Sequence, residues 1–294
     1  MSASLIVLGS ANTDYTVVVD RHPQPGETLL GGDVVVATGG KGANQALAAA
    51  RSGAMPVFVG AVGDDAGGHA MLDALGAGGV DVSSVARFSD APTGVALITV
   101  SRDGENTIVV APGANGRLDA DAVATTITEL AGPGTVLLSQ LEVPLGVVHA
   151  AARAVVGAGG RVALNLSPAR DIPDELLELC DPLVVNESEA RAVGASSFTD
   201  VEGALSAAQS LASRCRSVII TLGGDGAVWC DAAASGHVAA PRVEVVDTTG
   251  AGDAFVGAVC AELADGAELA AAVAAGVRSG AAAVQWRGAQ PPTH

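Results

Sequence analysis

The chain is poor in aromatic, basic and cysteine residues for its length of 294 residues. Aromatic side chains make up only 2% of it, so small aliphatic side chains must fill any core. Lys and Arg number 15 against 32 Asp and Glu, which gives a formal charge of −17. So much negative charge argues against wrapping a nucleic acid or docking on an anionic membrane. It does not exclude a phosphate bound at one local, positively polarised site.

The four cysteines are too widely spaced for a metal-binding or redox CxxC pair, and the five histidines form no HExxH motif. Each cysteine lies in an apolar stretch, which favours a buried thiol in a reducing compartment over a structural disulfide. No basic segment opens the chain, and the most apolar late stretch, Leu269–Trp286, contains Arg278. A buried helix explains that stretch better than a membrane span, so we expect a soluble, cytoplasmic protein.

Hydrophobic residues nevertheless make up 49% of the chain, and they fall into short runs that alternate with helical patterns. The runs predict buried strands at 5–9, 57–62, 135–140, 161–166, 183–186 and 217–222. Helices are predicted between them at 64–78, 119–131, 146–157, 173–179 and 201–214. This order predicts α/β architecture, with a mostly parallel sheet covered by helices on both faces.

Two regions break this alternation. Residues 15–38 are rich in β-forming and turn residues and leave no room for a helix, and residues 93–111 contain two apolar runs around the dipeptide Asp103-Gly104. Asp-Gly between such runs is a hairpin signal. We expect the two regions to form a small antiparallel sheet that acts as a separate lid. The alternative is that they are edge hairpins of the main sheet.

The most informative segment is Val245–Phe255, in which an apolar strand ends in a small-residue turn and a helix begins near Gly252. Gly250, Ala251 and Gly252 leave their backbone N–H groups sterically uncovered, so with the helix dipole they can bind an anion. Asp253 opens the helix and faces the same place, where it can take a proton from a hydroxyl that attacks a phosphate. The simpler interpretation is a helix cap.

Neither common phosphate-binding fingerprint is present. The sequence has no GxxxxGK[ST] loop, and the third glycine of a GxGxxG motif is misplaced after the Val245 strand. The absence of that second motif counts against a nicotinamide-dependent oxidoreductase. If the protein binds a phosphate, it must therefore use a different kind of loop.

A second glycine-rich segment, Gly39–Ala46, contains Gly40 followed by a helix that starts around Lys41. Lys41 and Asn44 are three residues apart and share one face of its first turn. A lysine at this end opposes the helix dipole, and such a local conflict often marks a functional position. Asn44 can donate and accept, which suits vicinal hydroxyls. The alternative is a solvated lysine on a capping loop.

Polar side chains also follow two predicted strands, at the edge where open α/β sheets bind ligands. Asn12 and Asp14 follow the first strand and alternate onto one side of an extended chain. Glu142 follows the strand at 135–140. As alternatives, Asp14 is a plain turn residue and Glu142 an exposed loop charge.

Two further segments have two interpretations each. Asn186 and Glu189 are three apart at a strand-to-helix junction, where they can hold Mg²⁺ through waters or simply form an acidic capping arrangement. The stretch Thr221–Gly226 ends a strand in a glycine-rich turn, which either admits a nucleotide or is a tight hairpin turn.

These segments, in this order, resemble the ribokinases of the PfkB family of carbohydrate kinases over nearly the whole chain. The stretches GGKGAN and DTTGAGD are highly specific to the family, and GGKGANQA together with RGAQP is similar to ribokinases rather than to the adenosine or fructose branches. The resemblance implies a single domain over 1–294, with a three-layer α/β/α fold and a β-rich lid. It also implies a homodimer paired through that lid.

The resemblance further implies ATP-dependent phosphorylation of the 5-hydroxyl of D-ribose. Asp253 would be the catalytic base, with Gly250, Ala251 and Gly252 as the anion hole. The residues implied to hold the sugar are Asn12, Asp14, Gly40, Lys41, Asn44 and Glu142, together with Asp253. Those implied to line the ATP and Mg²⁺ side are Asn186, Glu189, Thr221, Gly223, Gly224, Gly226, Gly252 and Val277.

Ribokinases also have a monovalent-cation site, usually for K⁺, next to the anion hole. The matching positions here are Asp247, Thr249, Ala283, Trp286, Gly288 and Pro292, most of them through backbone carbonyls. Pro292 departs from the family pattern, which commonly has a hydroxyl ligand there. A carbonyl or a water would have to replace it.

Two other functions stay open at this point. The substrate could be a nucleoside, deoxyribose or a ketohexose, since residue spacing does not define the shape of a pocket. A non-catalytic sugar-binding protein on the same scaffold is the other alternative, although the intact glycine turn before Asp253 speaks against it.

Overall fold

In a computed structural model, which describes residues 3–291, the chain forms two sheets of different size. The strands are β1 Leu5–Leu8, β2 Asn12–Val19, β3 Val35–Gly39, β4 Val57–Gly63, β5 Val85–Phe88, β6 Gly94–Ser101, β7 Asn106–Ala111, β8 Val136–Ser139, β9 Arg161–Asn165, β10 Cys180–Asn186, β11 Ser217–Thr221, β12 Ala227–Asp231 and β13 Ser235–Val238. The α-helices are α1 Lys41–Arg51, α2 Ala66–Ala77, α3 Ala120–Leu130, α4 Leu145–Gly157, α5 Asp174–Leu177, α6 Glu187–Ala192, α7 Val201–Leu211, α8 Ala251–Ala264 and α9 Leu269–Ala283.

The large sheet has nine strands in the order β13-β12-β11-β10-β9-β8-β1-β4-β5. All of its neighbouring pairs are parallel except β11–β12 and β12–β13. The strand order reverses around β1, which lies between β8 and β4. A reversal of this kind opens a crevice at the carboxyl ends of the strands, where ligands bind in such folds.

The sheet is buried on both faces because alternate residues of each strand point to opposite sides. In β1, Leu5 and Val7 contribute to one hydrophobic cluster, while Ile6 and Leu8 contribute to the other. The first cluster includes residues of α1, α2, α8 and α9, and the second includes residues of α3 to α7. The predicted α/β fold with helices on both faces is confirmed.

The second sheet has the order β3-β2-β6-β7 and stands apart from the first, as the sequence predicts. It is not wholly antiparallel, because its central strands β2 and β6 are parallel, with Asn12 opposite Gly94. Both strands leave the large sheet from the same edge: Asn12 follows β1, and Thr93 accepts a hydrogen bond from the Gly63 amide at the end of β4. They therefore run outward side by side in one direction.

Exposed large hydrophobic side chains lie on all four strands of this second sheet. By the strand register, one face, called the apolar side below, has Tyr15, Val36, Leu97 and Val109. The other face has Val18, Val35, Ile108 and Val110. Elsewhere the four cysteines are buried as free thiols, as the sequence predicts. In residues 3–291, no helix is both long enough and apolar enough to span a bilayer.

Candidate active site

The turn before α8 depends on a glycine that no other residue can replace without strain. Gly250 has a φ of +75°, in the left-handed region, and caps the helix. A Cβ at Gly250 would lie 2.6 Å from the Cα atom of Ala289. The sequence thus folds a tight turn here because both the backbone conformation and the neighbouring segment exclude a side chain.

The amides of this turn are largely available to a ligand. The Ala251 N–H donates a long 3.3 Å hydrogen bond to the Thr248 carbonyl, so it is less free than the sequence suggests. Within residues 3–291, the amides of Gly252 and Asp253 donate to no other group. Unpaired N–H groups at the start of a helix carry partial positive charge, and these two open a site for an anion.

Asp253 lies in the first turn of α8 and is only 8% exposed. Its Oδ1 accepts a 2.8 Å hydrogen bond from Gln45 Nε2, and its Oδ2 accepts a longer one of 3.4 Å from Asn44 Nδ2. Burial raises the pKa of Asp253 above its usual value, against the opposing effects of the Lys41 ammonium and the Gln45 hydrogen bond. A carboxylate with a raised pKa is a better proton acceptor than an exposed one.

Asn12 and Asp14 lie at the start of β2, shortly after β1 ends, and Asp14 is close enough to Asp253 for their charges to interact. The Asn12 side chain is buried and accepts a 2.8 Å hydrogen bond from Asn115 Nδ2. The Asp14 carboxylate lies over Gly39, where a Cβ would collide with it, and its Oδ1 has no hydrogen-bond partner among residues 3–291. Burial and the charge of Glu142 raise the pKa of Asp14 to about 6. A buried carboxylate oxygen without a partner favours a ligand with hydroxyl groups.

Glu142 is tied to the start of α1. Its Oε2 accepts a 2.5 Å hydrogen bond from the Ser10 hydroxyl and one of 3.1 Å from the Lys41 amide. Gly40, with a φ of +91°, is the N-cap of that helix, which begins at Lys41 as predicted. Glu142 is therefore a fixed part of the crevice rather than a free loop charge.

A cavity of about 170 Å³ joins these elements to the turn before α8. Lys41, Glu189, Gly250, Gly252 and Asp253 all line it. One ammonium group and the open amides thus face the same small space as the Asp253 carboxylate, which suits an anionic group next to a proton acceptor.

A larger cavity of about 580 Å³ opens on the other side of Gly252. Six of the eight residues assigned to the nucleotide line it, namely Thr221, Gly223, Gly224, Gly226, Gly252 and Val277. Thr221 and Gly252 also line the small cavity, so the two spaces meet at these residues. The predicted hairpin turn is present as well, because the 3₁₀ turn Gly223–Asp225 joins the antiparallel strands β11 and β12.

Asn186 and Glu189 form a capping box at the start of α6. The Asn186 side chain accepts from the Glu189 amide at 2.9 Å, and the Glu189 carboxylate accepts from the Asn186 amide at 2.8 Å. Both residues also line the small cavity, and burial raises the pKa of the Glu189 carboxyl. The capping interpretation is thus confirmed, and the same carboxylate remains directed at the crevice.

The positions assigned to a monovalent cation lie in two adjacent segments. The Asp247 carboxylate accepts from the Thr249 amide at 2.9 Å and from the Gly288 amide at 2.8 Å. Burial opposes its ionisation, but these hydrogen bonds outweigh that effect and lower the pKa of Asp247. Ala283 ends α9, and the buried Trp286 Nε1 has no partner among residues 3–291. Pro292 lies outside the described residues.

Several residues in direct contact with this site have no role in the sequence-based prediction. Gln45 bridges Asp253 and Asn165, and Gln140 Nε2 donates to Gln45 Oε1 at 2.7 Å. Gln290 donates to Asn44 at 2.7 Å. The only available signal is their position inside the family-like stretches GGKGANQA and RGAQP and at the ends of β8 and β9.

The described residues contain no cluster of three or more His, Cys, Asp and Glu side chains able to hold a metal ion by themselves.

Comparison with known proteins agrees with this arrangement. A ribokinase of Haemophilus influenzae is 38% identical over 291 residues, which cover 99% of this chain and 95% of that protein. A deoxyribokinase of Salmonella typhi is 32% identical, with 97% and 94% covered. The structure of Arabidopsis thaliana ribokinase complexed with ribose and ATP superposes with a TM-score of 0.88 at 31% identity, with 98% and 95% covered.

A family model described as pfkB family carbohydrate kinase matches residues 2–294. The similarity therefore extends over the large sheet, the second sheet and the turn before α8 alike. With its fold, its crevice and its full-length relatives in agreement, the chain belongs to the pfkB family of carbohydrate kinases.

Proposed function

We propose that this chain is an ATP-dependent kinase that phosphorylates the 5-hydroxyl of D-ribose, giving ribose 5-phosphate and ADP. The main support is the position of Asp253, a buried carboxylate next to the unpaired Gly252 amide, where the small and the large cavity meet. Relatives named ribokinase, one of them solved with ribose and ATP, support the choice of substrates.

In this proposal Asp253 is the general base. Its carboxylate takes the proton of the ribose 5-hydroxyl, and the oxygen forms a bond to the γ-phosphorus of ATP. The bond from that phosphorus to the β,γ-bridging oxygen breaks, and ADP leaves with its electron pair. The amides of Gly250, Ala251 and Gly252 and the Lys41 ammonium would stabilise the negative charge on the transferring group.

The sugar would occupy the crevice between β2 and α1. Asp14 offers an oxygen without a partner, while Asn12, Asn44 and Glu142 have their positions fixed by neighbouring side chains or backbone. Gly40 and Lys41 form the floor, since Gly40 approaches the Asn12 backbone so closely that a Cβ would lie 2.9 Å from its nitrogen. Such fixed polar groups favour a polyhydroxylated ligand.

ATP would extend from the small cavity into the large one, along Thr221, Gly223, Gly224, Gly226 and Val277. Asn186 and Glu189 fit a hydrated Mg²⁺, because the Glu189 carboxylate lines the cavity beside Lys41 and remains rigid through its capping box. Mg²⁺ bound there would neutralise phosphate charge.

The segments around Asp247 and Gly288 fit a K⁺ ion. Asp247 is held in its ionised form by backbone amides, and backbone carbonyls of Thr249, Ala283, Trp286 and Gly288 lie in the same two segments. A bound cation would reinforce the positive potential at the neighbouring turn before α8.

The cation proposal predicts activation by K⁺. With ATP and Mg²⁺ in excess, we expect turnover to rise several-fold when K⁺ replaces Na⁺ at constant ionic strength, and Asp247→Ala to abolish the difference. The measurement is ADP release as a function of K⁺ concentration. Equal rates in the two salts would exclude this site as an activator.

One relative is named deoxyribokinase, so deoxyribose is the second candidate substrate. Nucleosides and ketohexoses are further candidates. A panel of these sugars, assayed for ADP release with ATP, Mg²⁺ and K⁺, tests the choice directly. We expect the highest kcat/KM for ribose. Tight binding of ribose without ADP release would instead support a non-catalytic sugar-binding protein.

We further propose that the second sheet is a lid over the sugar and that its apolar side pairs two chains into a homodimer. The lid is supported by the position of β2, which begins with Asn12 and Asp14, two residues assigned to the sugar. The dimer is supported by the exposure of apolar side chains, since Val36 is 55% and Val109 is 61% exposed. Contiguous apolar surface of this kind usually marks an interface. The four free thiols support a reducing, cytoplasmic location.

A further inference from the structure

A chain of side-chain hydrogen bonds connects the far end of α1 to Asp253. Arg51 is in the last turn of α1, and its guanidinium donates to Gln290 Oε1 at 2.6 Å. Gln290 Nε2 donates to Asn44 Oδ1 at 2.7 Å, and Asn44 Nδ2 faces Asp253 Oδ2 at 3.4 Å. Two residues of α1 are thus bridged by one residue from the end of the chain.

The direction of the bonds in this chain is fixed at both ends, by the Arg51 guanidinium, which only donates, and by the Asp253 carboxylate, which only accepts. An amide side chain can present either its oxygen or its nitrogen to a partner, but a guanidinium can only donate. Gln290 must therefore turn its oxygen towards Arg51, which leaves its nitrogen for Asn44. Asn44 must in turn present its oxygen to Gln290, and its N–H group is left for Asp253.

We propose that Arg51 and Gln290 are positioning residues, which hold the Asn44 amide in the one orientation that donates to the Asp253 carboxylate. In the opposite orientation the Asn44 oxygen would face that carboxylate and repel it. The proposal rests on the proposed role of Asp253 as general base.

The other oxygen of Asp253 has a separate support. Gln45 donates to it and is itself held by Gln140, whose Oε1 has no partner among residues 3–291. The charged groups that face Asp253 from the surrounding elements are Lys41, Glu142 and Asp14, and Glu189 lines the same cavity. Of these two chains of hydrogen bonds to Asp253, only the one through Gln290 begins at a permanently charged donor, the Arg51 guanidinium.

The decisive variant is Gln290→Glu, with Gln290→Met as its partner. A carboxylate at this position pairs with Arg51 but can only accept, so it draws the Asn44 N–H group towards itself and leaves the Asn44 oxygen against Asp253. The Met variant removes both bonds and leaves Asn44 free to take either orientation. We expect kcat to fall by about tenfold or more for Glu and by a smaller factor for Met.

Thermal stability separates this role from a structural one. The Glu variant gains an ion pair with Arg51 that offsets its less favourable Asn44–Asp253 contact, so it should melt above the Met variant, which loses both hydrogen bonds. We then expect kcat to decrease from the wild type to Gln290→Met and again to Gln290→Glu. The melting temperature should not follow this order, because Gln290→Glu should not have the lowest value. The acid limb of the kcat–pH profile should also move to higher pH in the Glu variant, because the Asn44 oxygen disfavours the charged carboxylate.

Arg51 provides the matched variants, because it lies on α1 and is not one of the positions assigned to K⁺, although it contacts Gln290 two residues after Gly288. Arg51→Lys keeps a donor-only partner and should retain kcat within about threefold, whereas Arg51→Met should behave like Gln290→Met. The K⁺ concentration that gives half-maximal activation should be the same in both Arg51 variants as in the wild type. If Arg51 acted through the cation site instead, this concentration would rise.

The proposal is overturned if Gln290→Glu keeps wild-type kcat in a folded protein, or if kcat follows melting temperature across all the variants. These outcomes differ from failure of the proposed function, in which the wild type releases no ADP with any sugar or Asp253→Asn remains active.

Discussion

At the scale of single residues, the candidate site brings together several carboxyl groups whose ionised forms would be more stable in water than in this crevice. Asp14, Glu142 and Asp253 lie close enough to influence one another, and burial is the largest cause of the raised pKa of Asp14 and of Asp253. Each of these two therefore weakens the folded state when it is ionised. Sites that bind and react commonly keep such unfavourable groups at the expense of stability.

This account predicts a pH-dependent stabilisation by Asp14→Asn. Because the folded-state pKa of Asp14 is raised to about 6, the folded protein binds this proton more tightly than the unfolded chain. The resulting penalty begins near the ordinary pKa of 3.8, grows as pH rises through about 5 and is complete only above the folded-state pKa of about 6. We expect the variant to gain about 1 to 2 kcal/mol at pH 8, after allowance for solvent screening.

Urea unfolding of wild type and Asp14→Asn at pH 4 and pH 8 measures this difference. Asp33→Asn, a change at an exposed residue of the loop before β3, is the control and should show no such trend. A stability gain that is equal at both pH values would contradict the assignment of a raised pKa to Asp14.

The residue scale also shows what the sequence can and cannot predict. Asp253, Asp14 and Lys41 were identifiable because each follows a strand end or opens a helix after glycines. Gln45 and Gln290 were not, since an amide inside a helix or near the end of a chain has no distinctive spacing. Their contacts with Asp253 and Asn44 bridge more than 200 residues, and only the folded chain brings them together.

At the scale of elements, the first turn of α8 depends on two glycines for different reasons. Gly250 needs its positive φ and lies against Ala289. Gly252 has an ordinary φ, and a Cβ there would meet nothing within 4 Å, because it would project into open space at the two cavities. We therefore expect the fold to require the first glycine and the bound phosphates of ATP to require the second.

Alanine at each position should separate these requirements. We expect Gly250→Ala to lose at least about 2 kcal/mol of stability through backbone strain and the clash with Ala289. Gly252→Ala should be as stable as the wild type or more so, since alanine favours the helix, yet raise the KM for ATP about tenfold or more by filling phosphate space. Thermal melts and ATP titrations measure the two effects, and an unstable Gly252→Ala would contradict this division.

Among the elements, the buried parallel strands and their helices were predictable from apolar runs bounded by glycine and proline. The strands β5 and β13 were not predicted, because each is a four-residue edge strand with exposed positions and no continuous apolar run. The parallel pairing of β2 with β6 was also missed. It depends on where two distant segments leave the large sheet, which local pattern does not contain.

At the scale of the whole molecule, one strand connects the second sheet to the crevice. The same strand, β2, contributes Asn12 and Asp14 to the crevice at its start and exposed apolar side chains farther along. In the proposed dimer, pairing of the apolar sides would hold both lids near their crevices. Assembly and sugar binding would then be coupled through β2.

A charge on the apolar side should separate the proposed dimer. We expect the wild type to sediment at twice the chain mass and Val109→Asp to sediment as a monomer at the same concentration, because burying an unpaired carboxylate is unfavourable. Met55→Asp is the control, since Met55 is 83% exposed but lies outside the second sheet. Sedimentation velocity is the measurement, and a monomeric wild type would refute pairing through this surface.

The most direct test of the proposed chemistry is the turnover of Asp253→Asn with ribose, ATP, Mg²⁺ and K⁺. Loss of the proton acceptor should lower kcat by about a hundredfold to ten-thousandfold. The melting temperature at pH 8 should stay the same or rise, because the variant removes a buried charge. A folded Asp253→Asn protein that keeps near wild-type kcat would show that another group accepts the proton, and the proposed mechanism would be wrong.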